Sequence, residues 1–378
     1  MTKRPEKPTL VSSRCCPPRE QLINLQSGTT VKKANWIVGH IESNIGEIPV
    51  AATDLSFSDR LGGWKVRWGF GRNSYRVEPG IYAVGSPTDK SPVFVSANYK
   101  LSFDRLRSQL GGIDAWILVI DTKGINVWCA AGKGTFGTDE IVTRIGYTRL
   151  AEVVSHRRII VPQLGAPGIS AHEVKNRSGF RIVYGPVRAV DIPDYIQAGN
   201  KASPQMRTVR FTIWDRAVLV PNDLIASFKY ALLAAVVLFV LSGFGPGIFS
   251  VERMITNGSV LAILMLLAYI IGTALPPILL PLLPGRSFAT KGIWVGLLSF
   301  LILAWYSTYN MTLIPNKISL YSWLFIFPAI SSFITMNFTG SSTYTSLSGV
   351  LKEMKIAVPI QIGAATIGLI LLVIGVFV

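Results

Sequence analysis

Histidine and cysteine are scarce in this sequence, with three of each among 378 residues. The histidines His40, His156 and His172 fall in no H-E-x-x-H pattern, which excludes the familiar helical zinc hydrolases. His172, beside Glu173 on a predicted helix, reads as a surface or cap residue. Cys15, Cys16 and Cys129 are too few for a disulfide framework, and adjacent cysteines rarely bridge each other, so a reducing cytoplasm is expected. No nucleophile elbow or catalytic carboxylate pair stands out. Acidic residues are also in short supply, 21 against 37 Lys+Arg for a net charge of +16, and most of that excess precedes residue 221. Such charge suits anionic lipid headgroups and acidic protein partners. Nucleic-acid binding would call for a basic stripe interleaved with stacking aromatics, and none is found. The start, MTKRPEKPTL, is polar and proline-bearing, which predicts no signal peptide.

What the chain has in quantity is apolar sequence, concentrated in its second half. Five runs, Ala226–Phe244, Ser259–Leu280, Gly292–Tyr309, Leu320–Phe338 and Ile356–Val378, approach the ~20 residues needed to cross a bilayer. Arg286 and Lys291 lie between runs two and three, and Lys352 and Lys355 between four and five, while the other connections carry Arg253 offset by Glu252, and Lys317. That bias places the N-terminal domain and the even-numbered connections in the cytoplasm, so the expectation is a multi-pass protein of the cytoplasmic (inner) membrane. The runs lack central ionisable residues, as a membrane anchor would. The polar loop Thr339–Met354 is cytoplasmic on this topology, either solvated or docked on the soluble domain.

Three regions follow: a leader over 1–45 without strong pattern, a soluble domain over 46–220, and a five-helix transmembrane domain over 221–378. In the soluble domain Pro92–Ser96, Ala115–Asp121, Ile159–Leu164 and Arg181–Tyr184 read as buried strands. Helical stretches fall between them at Tyr99–Leu110, around Cys129, at Thr138–Ile145 and at Ile169–Asn176. Near-continuous apolar strands alternating with helices predict a parallel, Rossmann-like α/β sheet, with ligands collecting at the carboxyl ends of its strands.

Strand 115–121 feeds into DTKGINVWCAAGKGTFGTDE, Asp121–Glu140. If Ile125–Lys133 is a short helix, Asn126, Cys129, Gly132 and Lys133 share a face. Ala130, Ala131 and Gly132 leave almost no side-chain bulk there, so a large flat ligand could lie close to the backbone. Backbone dipoles and Lys133 would favour the Cys129 thiolate, as a metal ligand requires. A lone cysteine is equally often a small buried apolar residue. Gly132–Gly137 (GKGTFG) matches G-x-G-x-x-G, but it does not directly follow a strand, and no acidic residue ends a clear following strand, so nicotinamide or flavin binding is disfavoured. The P-loop pattern fails, since Lys133 is followed by Gly134 and position 127 is Val.

The run Asn126–Lys133, NVWCAAGK, resembles the cap-helix signature of the mercury-methylating corrinoid protein family, HgcA. Leu61–Gly71, Tyr75–Gly85, Ala97–Leu106, Asp114–Gly137, Gln163–Val174 and Val183–Ala189 resemble that family too, as does a soluble domain followed by five spans. The resemblance implies a fold like the cobalamin domain of the corrinoid iron–sulfur protein, and a cobalamin-type corrinoid with cobalt held from below by Cys129. The histidine-bearing D-x-H-x-x-G pattern of many cobalamin proteins is absent here. It further implies a cofactor-binding set of Ser96, Asn98, Ser102, Asn126, Val127, Trp128, Cys129, Ala130, Ala131, Gly132, Lys133, Gly134, Gly165 and Ala166. Asn126 and Trp128 would hold the cap helix, Ala130–Gly132 would permit close approach, and Lys133 would meet a corrin amide or phosphate or else stay solvated. Ser96 stands where family members often carry threonine.

Cys15 and Cys16 fall two thiolates short of a four-cysteine cluster, so no iron–sulfur cluster of its own is expected. The implied partners are a ferredoxin-like protein with two 4Fe–4S clusters as electron donor, a methyltetrahydrofolate-dependent methyltransferase as methyl donor, membrane lipid and Hg(II), with no nucleic acid. The implied activity is corrinoid-dependent methyl transfer to Hg(II), giving methylmercury. Mercury(II) is an electrophile and needs a methyl group that arrives with electrons, which a donating axial thiolate favours. Two other readings stay open: a corrinoid methyl carrier of one-carbon metabolism with another acceptor, and a membrane transport or sensing protein whose soluble domain binds a nucleotide.

Overall fold

A computed structural model describes residues 34–309, 314, 316–338 and 347–377. The leader up to residue 33, the Cys15–Cys16 pair and residues 339–346 of the polar loop lie outside the described residues. The chain divides into two compact units, one ending at Leu61 and resuming over Asn73–Thr208, the other made of Gly62–Arg72 and Val209–Val378.

The first unit is built on a seven-stranded sheet. A hairpin of β1 (Ile37–Ser43) and β2 (Gly46–Ala51) is followed by α1 (Phe57–Arg67), β3 (Gly80–Val84), β4 (Val93–Ala97), α2 (Lys100–Arg107) and β5 (Ala115–Ile120). Then come α3 (Val127–Lys133), α4 (Thr138–Tyr147), α5 (Leu150–Val153), β6 (Arg158–Val161), α6 (Ala171–Ser178), β7 (Arg181–Tyr184) and α7 (Ile192–Gln197). The spatial order is β1-β2-β3-β5-β4-β6-β7. Strands β5, β4, β6 and β7 are mutually parallel, as are β2 and β3.

The sequence of β5 explains why it lies mid-sheet. Trp116, Leu118 and Ile120 enter one core with Val95, Phe136 and Ile141, while Ala115, Ile117 and Val119 enter another with Phe94, Phe103 and Tyr195. A strand buried on both faces must be apolar at every position, and all six residues are buried. The four predicted strands are all present, with ends shifted by up to three residues. The sheet departs from the all-parallel expectation at its other edge, where β3 runs antiparallel to β5 and β1 antiparallel to β2. Only the helix-free Gly85–Pro92 segment links β3 to β4, the two strands that flank β5, and it is too short for the crossover that would make them parallel. Strand β1 lies within the stretch assigned to the leader, and its residues alternate between half-buried and exposed as an edge strand's do.

The second unit holds α8 (Ile213–Ala217), α9 (Val220–Leu241), a two-residue-stranded hairpin of β8 (Phe244–Gly245) and β9 (Ile248–Phe249), α10 (Val251–Leu279), α11 (Phe288–Tyr309), α12 (Lys317–Asn337) and α13 (Leu347–Phe377). Among the described residues five helical segments, the first of them Ile213–Leu241 with a turn at 218–219, are long and apolar enough to cross a membrane. This is a multi-pass helical domain of the expected number of spans. Helices α11 and α12 meet through small residues: a Cβ on Gly296 would sit 2.4 Å from the Pro328 Cα, and one on Gly292 2.5 Å from the Ser331 carbonyl oxygen. Close backbone approach of this kind is how helices associate where lipid removes the hydrophobic drive. Lys291 is buried and donates to the Leu280 and Leu283 carbonyls at 2.7 and 2.6 Å. Its charge is thereby spent on the open end of α10.

A buried ionic circuit braces the first unit. Arg107 is fully buried, pairs with Asp104 at 2.8 Å and Asp59 at 2.9 Å, and also donates to the carbonyls of Ala52 and Asp54. Lys100 closes the circuit with contacts of 2.6 Å to Asp59 and 2.7 Å to Asp104. Burial pushes the Asp59 carboxyl up, but hydrogen bonds from Lys100 and Ser56 and the charges of Lys100 and Arg107 outweigh it and hold it at about 2. Because that lies below the unfolded value near 3.9, the stabilisation is complete above roughly pH 4 and is lost as pH falls toward 2, on the order of 2 kcal/mol. Asp59→Asn should therefore flatten that part of the acid-unfolding profile. Arg107→Met, which leaves two carboxylates buried without their guanidinium, should cost about 3–5 kcal/mol in denaturant unfolding of the first unit.

Candidate functional site

The carboxyl end of β5 is where the sequence places its least ordinary residues, and the fold turns sharply there. Lys123 and Gly124 both have positive φ, 60° and 73°. At Gly124 a side chain would also crowd the Asn73 carbonyl oxygen, which is 3.2 Å from where a Cβ would sit. The turn is held from the neighbouring strand by Asn98. Its Oδ1 accepts from the Thr122 amide (3.1 Å), the Thr122 hydroxyl (2.9 Å) and the Gly124 amide (2.9 Å), and its Nδ2 donates to Asp121 at 3.0 Å. Asn98 is 2% exposed, so its side chain fixes the loop from within. Asp121 also accepts from the Lys123 amide and ammonium. Burial raises its carboxyl, and those contacts more than reverse the effect, leaving it below the usual range.

The turn delivers the chain into α3, seven residues long, with Asn126 as N-cap. The Asn126 side chain accepts from the Cys129 amide at 2.9 Å, satisfying one of the donors a helix start leaves open. Gly134 ends the helix with φ 79°. Val127, Ala130 and Ala131 enter the core, leaving Trp128, Gly132, Lys133 and Gly134 exposed and Cys129 half-buried with a free thiol. Nothing lies within 4 Å of where a Cβ on Gly132 would be. The outer face of α3 is therefore low, open ground beside one sulfur.

A 3-10 turn, Gln163–Gly168, follows β6 and packs against the inner side of α3. A Cβ on Gly168 would be 2.3 Å from the Phe136 carbonyl oxygen and 3.1 Å from the Ala131 Cα, and one on Gly165 would be 2.4 Å from the Phe136 ring. Gly165 is buried against that ring and Ala166 is half-buried beside it. The Gln163 Oε1 atom is buried and has no hydrogen-bond partner.

The fold thus joins 126–134 with 165–166, and brings Asn98 to the loop that precedes them. It does not gather Ser96 and Ser102 there. Val95 and Ala97 share the core that Val127, Ala130 and Ala131 enter, so by alternation Ser96 lies on the opposite face, where its hydroxyl donates to the Ala97 carbonyl at 3.1 Å. Ser102 is half-buried in the first turn of α2, which packs on that same opposite face. Thr122, Phe136, Gln163 and Gly168 shape the site without having been singled out, because their roles depend on neighbours distant in sequence. Among the described residues no group of three His, Cys, Asp or Glu side chains could hold a metal ion. Gly168→Ala should push the 3-10 turn off α3, and amide exchange over residues 127–136 should accelerate at least tenfold relative to the parent.

Comparison with known proteins bears on this same unit. Residues 70–196 match the family of the CO dehydrogenase/acetyl-CoA synthase delta subunit, CdhD. Acetyl-CoA decarbonylase/synthase complex subunit gamma of Archaeoglobus fulgidus is 30% identical over 128 residues, which is 33% of this chain and 27% of that protein. The Methanothermobacter thermautotrophicus subunit gamma is 31% identical over 173 residues, 41% of this chain and 37% of that protein. The chain therefore spans only a quarter to a third or so of the relatives it matches. The α/β unit is related to subunits of the acetyl-CoA-synthesising complexes, and the family match ends before the first long apolar helix.

Proposed function

We propose that the α/β unit binds a cobalamin-type corrinoid with Cys129 as the cobalt ligand, and that the chain passes a methyl group to inorganic Hg(II), giving methylmercury. The observation that carries this reading is the free, half-buried Cys129 thiol on a short Asn126-capped helix, set at the carboxyl end of the middle strand beside open backbone. The relatedness to acetyl-CoA-synthesising subunits supports a methyl-carrying role, and the NVWCAAGK signature supports mercury as the acceptor.

The residues present fit such a cofactor. Gly132 leaves room for a flat macrocycle, the Cys129 sulfur is uncommitted, and the orphaned Gln163 oxygen asks for an N–H donor of the kind a corrin amide offers. When bound, the corrinoid supplies a cobalt centre able to carry a methyl group and change oxidation state. Cys129 as thiolate would donate electron density to that centre, favouring release of methyl toward an electrophile. Asn126 fixes the turn that presents the sulfur, and Asn98 fixes the loop before it. The exposed face of Trp128 and Lys133 would border the macrocycle. A ferredoxin-like donor with two 4Fe–4S clusters and a methyltetrahydrofolate-dependent methyltransferase are the proposed partners, with the α/β unit in the cytoplasm. A methyl carrier of one-carbon metabolism is the second reading, favoured by the names of the relatives.

Anaerobic membranes carrying the chain, supplied with cobalamin, the ferredoxin-like partner, a methyl donor and Hg(II), should make methylmercury, and Cys129→Ala should reduce it to background. The same substitution should shift the visible spectrum of bound cobalamin, which a merely structural cysteine would not do. A parent that holds cobalt yet methylates no mercury would leave the one-carbon carrier. Gln163→Leu removes a buried orphan acceptor, so it should stabilise the cofactor-free protein by about 1 kcal/mol while weakening corrinoid binding roughly five- to tenfold.

A further inference from the structure

The membrane-spanning unit contains a cavity of about 760 Å³ among α9, α10, α12 and α13. Its floor is buried: Ala231, Tyr269, Thr273 and Gln361 are each at most 7% exposed. Its mouth is formed by Tyr230, Phe333 and Ile362, which are 64%, 47% and 61% exposed, so it opens sideways from the helix bundle toward lipid. Hydrocarbon would fill such a space by default, but the polar lining asks for something more specific.

Each donor group in that lining has an acceptor, the two amides through one N–H each. The Tyr269 hydroxyl donates to the Leu224 carbonyl, Thr273 to the Tyr269 carbonyl at 2.7 Å, and Ser227 to the Asp223 carbonyl at 3.0 Å. Asn337 Nδ2 donates to the Phe333 carbonyl at 3.1 Å, and Gln361 Nε2 to the Ser332 hydroxyl at 2.7 Å. The exception is the Tyr230 hydroxyl, at the exposed mouth. The acceptors are not committed. The Asp223 carboxylate receives one hydrogen bond, from Asn222, the Asn337 oxygen receives none from the described residues, and the Gln361 Oε1 atom is buried without a partner. These acceptors stand at two depths. Asp223 opens α9 and Asn337 closes α12, both at one rim. Ser332, to which Gln361 is bonded, is five residues from Asn337, or about 7 Å deeper.

An apolar cavity with aromatic walls and free acceptors at rim and floor selects for a ligand that donates at two levels. We propose that it binds a quinol-type lipid, an isoprenoid-tailed aromatic ring with two opposed hydroxyls. One hydroxyl donates to the Asp223 carboxylate at the rim and the other to the Gln361 oxygen at the floor, while the tail leaves past Ile362 into the bilayer. The oxidised quinone offers only carbonyl acceptors and would leave both protein acceptors unsatisfied. A phosphatidylethanolamine ammonium can donate to Asp223 at the rim, but the acyl chain brings no donor to Gln361 at the floor.

The test titrates the full chain in detergent, under anaerobic conditions, with a short-tailed naphthoquinol, with the matching quinone, and with phosphatidylethanolamine. The quinol should bind at least about tenfold more tightly than the quinone. Gln361→Leu, which removes the deep acceptor without adding bulk to the fold, should narrow that ratio to within about twofold. Ala226→Trp, at the exposed mouth, should abolish binding of both. Equal affinity of quinol and quinone, displacement of the quinol by phosphatidylethanolamine, or an unchanged ratio in Gln361→Leu would each overturn the proposal.

Discussion

One buried side chain, Asn98, decides where the α/β unit can present chemistry. Two backbone amides and a hydroxyl converge on its single carbonyl oxygen, all from the first residues beyond β5. A chain leaving a parallel strand ordinarily has wide freedom in direction. Here the Thr122 and Gly124 amides are drawn back toward β4, and Gly124 takes a left-handed conformation that completes the bend. The start of α3 then lies one short step away, and Asn126 caps it by the same device, a side-chain oxygen on a backbone amide. Two asparagines thus aim a helix too short to be stable alone. The family resemblance had placed Asn98 among the cofactor contacts; its hydrogen bonds show it fixing the loop.

Packing then keeps α3 where the asparagines put it. The three residues it buries are small, so the helix sits low over the sheet, and the glycines of the 3-10 turn let a second backbone come within contact distance of Ala131 and Phe136. Phe136 is wholly buried and fills the volume that these small residues vacate. A larger side chain at any of these points would raise the helix and change the height of the Cys129 sulfur. The run of Ala and Gly around the cysteine therefore does two jobs: it clears space outside the helix and permits close packing inside it.

The strands that a sequence reader finds most readily, β4 to β7, carry near-continuous apolar runs, because β4 and β5 are buried at every position and β6 at all but Arg158. The hairpin and β3 escaped notice for the complementary reason. Strand β1 has polar His40 and Glu42 on its open face, and β3 is a short run bounded by glycines at both ends. The five spans were legible from length and hydropathy alone, while the cavity among them was not, since it depends on which small residues face each other across helices. At the site, Cys129 and its capped helix could be read from one continuous segment. Gln163 and Gly168 could not, because they meet α3 only after β6 has been laid beside β4.

Two glutamines link the halves of the molecule as a physical problem. Gln163 in the α/β unit and Gln361 in the membrane-spanning unit each bury a carbonyl oxygen with no partner. An orphaned acceptor of this kind costs about 1–3 kcal/mol, and more where the surroundings are hydrocarbon. Leucine would avoid that cost at either position, though at Gln361 it would give up the bond to the Ser332 hydroxyl. Gln163 lies on the turn that braces the cysteine-bearing helix, and Gln361 on the floor of an open cavity. In each place the missing partner must be a donor, because an amide oxygen can only accept. In the two sites proposed above, a donor from the ligand would complete each of these acceptors.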